Sequence, residues 1–342
     1  MSGVVLLGHG GPEMLQYRAD LPVPRPGPSE VLVRVAAAGV NNTDINTRTG
    51  WYSKTSGGGE DGSWTGQAVR FPRIQGIDVC GTIVAVGEGA DAGRIGERVL
   101  IEPCLREAGG VVLDEPWFLG SECDGGFAEY TTVASRHAYA VTSPLSDIEL
   151  ASFPCSYSTA ENMLTRAKVA ARDKVLITGA SGGVGSAAVQ LARARGASVI
   201  AVTAAAKAAA VKALGAEETI GRDDVESLGR NGIDVVIDLV GGPRWPKLLD
   251  VLRSGGRYAV SGAIGGPLVE LDLRTLYLKD LSFFGCTTLE PEVFGRLAGH
   301  IEAGRIKPLV AETYDLSQIA SAQALFEKKL HIGKIVLKVS SR

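Results

Sequence analysis

The sequence predicts an α/β fold of two domains, one β-rich and one built on a doubly wound parallel sheet. Three observations carry this. In the first third, short alternating or apolar runs (VLVRVAAAGV, VCGTIVAVG, ERVLIEP, AEYTTVAS) are separated by Gly, Pro, Asp and Asn, the texture of short strands in a barrel or sandwich. From about Glu149 apolar strands alternate with helical patterns: KVLITGA, GSAAVQLARARG, ASVIAVT, AAKAAAVKALGA, DVVIDLVGG. That alternation belongs to βαβ units and a parallel sheet. At the start of this second region the glycine-rich turn GASGGVG joins a strand to a helix. The expected division is 1–148 with 289–342 for the β-rich domain, and 149–288 for the parallel sheet.

Composition limits the function. The chain has 342 residues, 45% of them apolar, enough for the cores of roughly two domains. A net charge of −3 with scattered Lys and Arg leaves no footprint for nucleic acid or an anionic membrane. No segment approaches the ~20 apolar residues that span a bilayer, and no basic leader precedes the first apolar run, so a cytoplasmic location is expected. Five cysteines without a CxxC pair, and four isolated histidines, argue against a disulfide framework or a clustered zinc site.

Along the β-rich region, the stretch GVNNTDINTRTGWY follows an alternating strand and gathers Asn41, Asn42, Asp44, Asn46, Arg48 and Tyr52 where that strand ends. Buried polar groups need partners, so this cluster is either a turn satisfied by its own backbone or a site. Asp44 reads as a helix cap or an ion-pair partner, or as a pocket residue beside Trp51. The Gly-rich run from Lys54 to Gly66 reads as a surface loop, and the whole segment from Tyr52 to Pro72 as a lid beside the site or a restriction on substrate size.

The clearest motif is KVLITGASGGVGSAAVQLARARG. A strand runs into Gly179, Gly182 and Gly185, and a helix follows at once. Glycines let backbone N–H groups approach a pyrophosphate at the positive end of that helix. The preceding strand, the following helix and a second strand about 20 residues on supply the context that the motif requires. Gly179, Ala180, Ser181, Gly182, Gly183 and Val184 are therefore expected on the pyrophosphate. At the tip of the second strand an NAD site usually places a carboxylate on the ribose. Here VIAVTAAAK offers Thr203 and Lys207, with Arg222 after the next strand, which favours NADP(H); the plainer alternative makes Lys207 and Arg222 solvated charges. Val240, Gly241, Ala263 and Ile264 end later strands and are expected at the nicotinamide. DLSFFGC reads as an apolar edge strand that pairs across a two-fold axis, giving a homodimer.

The order GIDVCGTIVAVGEGA, IGERVL, GGFAEYTTV, nucleotide fold, GKIVL resembles the medium-chain dehydrogenase/reductase superfamily over essentially the whole chain. The resemblance implies a GroES-like catalytic domain, a Rossmann domain and a site in the cleft between them. GASGGVG looks most like the quinone oxidoreductase and enoyl reductase branches. Where zinc members carry a Cys, this chain has Asn41; where they carry His-Glu, it has Ile77-Asp78; only Cys155 matches a ligand. An amide and an isoleucine do not replace thiolate and imidazole, so no zinc is expected. NNTDINTRTGWY resembles zinc-independent 2-enoyl thioester reductases, which implies Asn41 beside the nicotinamide and Tyr52 as proton donor, with packing of the loop as the alternative for Tyr52. Asp44, Trp51 and Cys155 are expected to line the substrate pocket, and Thr159 to touch the cofactor. The expected activity is NADPH-dependent reduction of an activated C=C or quinone in a small molecule. The alternatives are an alcohol dehydrogenase or carbonyl reductase with a rebuilt metal site, and a non-catalytic NADPH-binding protein.

Overall fold

The computed structural model describes residues 1–54 and 62–339. The middle of the segment expected to act as a lid, residues 55–61, lies outside the described residues. Two compact units divide the chain: Met1–Cys155 with Pro308–Arg342, and Ser156–Lys307.

The first unit is GroES-like and is organised by the strand Glu30–Val40. This strand pairs antiparallel with Asp78–Val86 on one side and, near its end, with Lys334–Lys338 on the other. Tyr130–Ala134 pairs with its opening residues. Arg98–Ile101 and Ala138–Ala140 extend the sheet one way and Val310–Asp315 the other. Register is what matters for the site. Gly39 stands opposite Asp78 and Val40 opposite Ile335, so the chain leaving Val40 emerges between Asp78 and Lys334. Only glycine fits at position 39, because a Cβ there would lie 2.5 Å from the Asp78 carboxylate. The helix Asn42–Thr49 then begins at once and stops at Gly50, whose φ of 70° is the left-handed conformation that glycine adopts without strain.

The second unit is a six-stranded, fully parallel Rossmann-like sheet. Its order is Glu218–Ile220, Ser198–Val202, Lys174–Ile177, Ile233–Asp238, Leu252–Val260, Ser282–Gly285. The order reverses at Lys174–Ile177, and ligands of such sheets bind at the carboxyl ends of the strands beside that reversal. Leu176, Ile200, Val236, Trp245, Leu248 and Tyr258 form its core.

The unit boundaries differ from the expected ones. The amphipathic helix Val293–Glu302, assigned from sequence to the β-rich domain, falls in the second unit. Val293, Phe294, Leu297 and Ile301 form its buried face. The preceding segment is tied to the helix Pro154–Arg166 by Asn162, which accepts from Glu290 N–H (3.0 Å) and donates to the Thr288 carbonyl (3.0 Å). The short helix Asp147–Leu150, by contrast, belongs to the first unit. No helix among the described residues is long and apolar enough to cross a membrane.

Candidate active site

In the second unit, the strand Lys174–Ile177 passes through Thr178 into Gly179, which takes a φ of 59° and turns the chain. Gly182 caps the helix Gly183–Ala194. Gly185 is where this helix rests on the turn: a Cβ there would lie 2.3 Å from the Gly179 carbonyl oxygen. At Gly182 the nearest obstacle to a Cβ is 3.4 Å away, which leaves open approach to the amide groups of the first helical turn. Ala180 is buried, its N–H bonded to the Val202 carbonyl (3.2 Å), while Ser181, Gly183 and Val184 are partly exposed. The turn expected to take a pyrophosphate thus has the form and the polarity to do so.

Thr203 ends the next strand. It is buried, and its hydroxyl has no hydrogen-bond partner. Lys207 follows on a short helical turn, and Arg222 lies close enough that its charge, after burial, holds the Lys207 ammonium below its ordinary range. Lys207 and Arg222 thus lie within electrostatic reach of one another. Val240 and Gly241 sit against the loop carrying Ala263 and Ile264: Gly265 N–H donates to the Val240 carbonyl (2.7 Å) and Gly242 N–H to Gly266 (3.0 Å). Ile264 is exposed, and Thr159 is half-buried on the helix Pro154–Arg166.

In the first unit the strand register gathers a buried polar cluster. Lys334 pairs with Asp78 at 2.7 Å, and both side chains are all but fully buried. The Asn41 amide is spent between them, its NH₂ donating to Asp78 (2.8 Å) and the Gly39 carbonyl (3.3 Å), its oxygen accepting from Lys334. The second Asp78 oxygen accepts from Cys155 N–H (2.5 Å). Asp44, in the first turn of the helix Asn42–Thr49, accepts from Asn41 N–H (2.7 Å) and has its pKa raised to about 7, chiefly by burial, against the backbone N–H of Asn41. Asp44 is thus built into the cap of its helix, beside the cluster.

Tyr52 reaches the same place. Its hydroxyl engages the Thr43 and Asn46 side chains and lies within electrostatic reach of Cys155 and Asp44. Burial keeps it above its ordinary pKa, so it stays protonated at neutral pH. Its ring packs edge-on to exposed Trp51 and parallel to Trp64 (centroids 6.2 Å, 19° apart), which stacks on Phe118 at 4.4 Å.

Comparison with known proteins places these features. The alcohol dehydrogenase GroES-like domain model matches residues 27–143, and the zinc-binding dehydrogenase model residues 183–303. Human quinone oxidoreductase is 31% identical, covering 98% of this chain and 97% of its own. The chain belongs to the medium-chain dehydrogenase/reductase superfamily. Acryloyl-coenzyme A reductase of Metallosphaera sedula is 30% identical over 98% of this chain and 99% of its own. A solved structure from Sinorhizobium meliloti 1021, provisionally named an alcohol dehydrogenase, is 46% identical with a TM-score of 0.90, covering 99% of this chain and 97% of that one. The chain is accordingly an oxidoreductase of a superfamily that uses NAD(P).

Superfamily membership raises the question of zinc, and the donor set does not suit it. At the three positions of the zinc ligands stand an amide whose oxygen and nitrogen are engaged, the side chain of Ile77 with no donor atom, and Cys155. Cys80 is a fully buried thiol 3.7 Å from Asp147, its pKa pushed up to about 12 by burial. Among the described residues no three His, Cys, Asp or Glu side chains are grouped to hold a metal. Two buried charged residues of the candidate site escaped sequence reasoning: Lys334, read only as part of a strand in GKIVL, and Asp238, read as strand in DVVIDLVGG. A lysine or aspartate inside an apolar run was the available signal.

Proposed function

We propose that this oxidoreductase reduces an activated double bond or quinone, using NADPH and no zinc. The observation that carries the reading is the buried cluster at the metal-ligand positions: Asn41 is locked between Lys334 and Asp78, and a protonated tyrosine hydroxyl lies within electrostatic reach of Asp44 and Cys155. NADPH supplies the hydride. Addition of that hydride to the β-carbon of a conjugated carbonyl moves an electron pair onto the carbonyl oxygen, and the resulting enolate needs a proton at its α-carbon. Tyr52 is the proton donor, and Thr43 and Asn46 hold its hydroxyl in place. Trp51, Trp64 and Cys155 shape the pocket with Asp44 behind them. Thr203, Lys207 and Arg222 take the 2′-phosphate.

The test is NADPH oxidation with 2-hexenal, a 2-enoyl thioester, a simple quinone and a saturated aldehyde, on protein assayed for zinc. Turnover of the conjugated acceptors by metal-free enzyme is expected. Activity confined to the saturated aldehyde and to zinc-loaded protein sinks the reading. Tyr52→Phe should lower kcat by about 10- to 100-fold, at or below the lower end of the roughly 10²–10⁴-fold range for general acids because water can substitute in part. Lys207→Ala with Arg222→Ala should weaken NADPH about tenfold while leaving NADH unchanged, the loss of charge-assisted phosphate contacts. Equal loss for both dinucleotides would place the two cations elsewhere.

A homodimer is part of the same proposal. Ser282–Gly285 is the edge strand of the parallel sheet, bonded on one side only among the described residues, and exposed Leu273, Tyr277 and Leu278 precede it in the chain. Sedimentation at the mass of one chain would remove it.

A further inference from the structure

The carboxylate of Asp238 is completely buried at the carboxyl end of its strand, and among the described residues it has no cationic partner. Neutral donors surround it instead. The Thr178 hydroxyl donates to one oxygen (2.6 Å) and the Tyr258 hydroxyl to the other (2.6 Å). Val240 N–H (3.0 Å) and Gly241 N–H (3.2 Å to each oxygen) complete the set, while Leu239 N–H donates to the Thr178 oxygen (2.9 Å). A buried charge is costly unless it is bonded this thoroughly, and a network so satisfied holds its members rigidly.

What the network joins gives it a use. Thr178 immediately precedes Gly179, where the pyrophosphate turn begins, whereas Val240 and Gly241 form the loop bonded to residues 265 and 266. One carboxylate therefore sets the spacing between the turn under the phosphates and the loop expected at the nicotinamide. We infer that Asp238 is a positioning residue for the dinucleotide: it holds the two halves of the site at the separation that an intact cofactor spans. The inference rests on the cofactor reading proposed above. It does not extend to the adenosine end, where Thr203, Lys207 and Arg222 lie on other strands.

That asymmetry supplies the test. NADPH, which must reach both halves, is titrated against 2′,5′-ADP, which carries the adenosine end and one phosphate of the bridge but nothing that reaches the nicotinamide loop, using binding calorimetry on the whole chain. Asp238→Asn and Thr178→Val should each weaken NADPH about tenfold and 2′,5′-ADP by less than about twofold, the loss of one or two buried hydrogen bonds. Thr178→Ser keeps the hydroxyl and should bind NADPH as the parent does; this pair carries the test if Asp238→Asn does not fold. Parallel loss of both ligands, or loss of neither, overturns the positioning role. Failure of the parent protein to bind NADPH while it binds another dinucleotide overturns the cofactor reading instead, and Asp238→Asn is then judged by the same split with that dinucleotide.

Discussion

Replacing Lys334 with Met is expected to lower the thermal unfolding midpoint by about 10 °C, equivalent to about 3–5 kcal/mol, the usual cost of removing one partner of a buried ion pair. The reason lies in what remains. Asp78 is fully buried, and its bonds from Asn41 and Cys155 come from neutral N–H groups, so Lys334 is its one cation among the described residues. Without the ammonium the carboxylate is uncompensated, and the Asn41 oxygen loses its donor as well. The pair need not be net stabilising for this to hold, since desolvating two charges offsets much of their attraction. The double variant Lys334→Met with Asp78→Asn separates the two ideas. It removes both charges and should regain at least half of the lost stability, with a coupling of about 2 kcal/mol in the double-mutant cycle. Strict additivity would mean that Asp78 does not depend on Lys334 for its charge, and the account of the cluster would fail.

That cluster shows why some of the site was legible in the sequence and some was not. The strand–turn–helix form of GASGGVG could be read because its signal is local: strand, glycines and helix N-terminus lie within about a dozen residues. The place of Thr203 and Lys207 just past the tip of the next strand was equally local. Asn41 and Asp78, however, are 37 residues apart, and Asn41 and Lys334 are 293 apart. They meet only because Gly39 pairs with Asp78 and Val40 with Ile335, a register that no single stretch of sequence states. The lysine of GKIVL therefore reads as one polar residue opening an apolar strand. Asp238 was hidden in the same way, since an aspartate in DVVIDLVGG reads as one polar residue of an apolar strand until Tyr258 and Thr178 are brought to it. The domain boundary was misplaced for a related reason. The period of PEVFGRLAGHIE reveals a helix with an apolar face, but not that Asn162 lies beside it.

Asp44 leads to the other large effect, a dependence of stability on pH. Its carboxyl is buried in the same region as Asp78, whose charge is already matched by Lys334, so a second negative charge there has no cation of its own. Burial, reinforced by Asp78, raises the pKa to about 7 in spite of hydrogen bonds from the Asn41 and Gly76 N–H groups and the pull of Lys334. In the unfolded chain the value returns to about 3.9. Between these two pH values the folded protein holds a proton that the unfolded chain has released. The contribution of Asp44 to stability is therefore fully present below about pH 4 and is lost as pH rises through about 7. Three pH units correspond to at most about 4 kcal/mol, and a working expectation is about 2–3 kcal/mol. Asp44→Asn removes the titration while keeping the shape. Other carboxylates titrate alike in both proteins, so urea unfolding of the two at a series of pH values isolates the term by difference. Relative to the variant, the parent should gain about 2–3 kcal/mol between pH 8 and pH 5. A difference constant over that range would mean that Asp44 remains ionised throughout. The two N–H groups and Lys334 would then outweigh its burial, and the cluster would hold two negative charges at neutral pH against one positive.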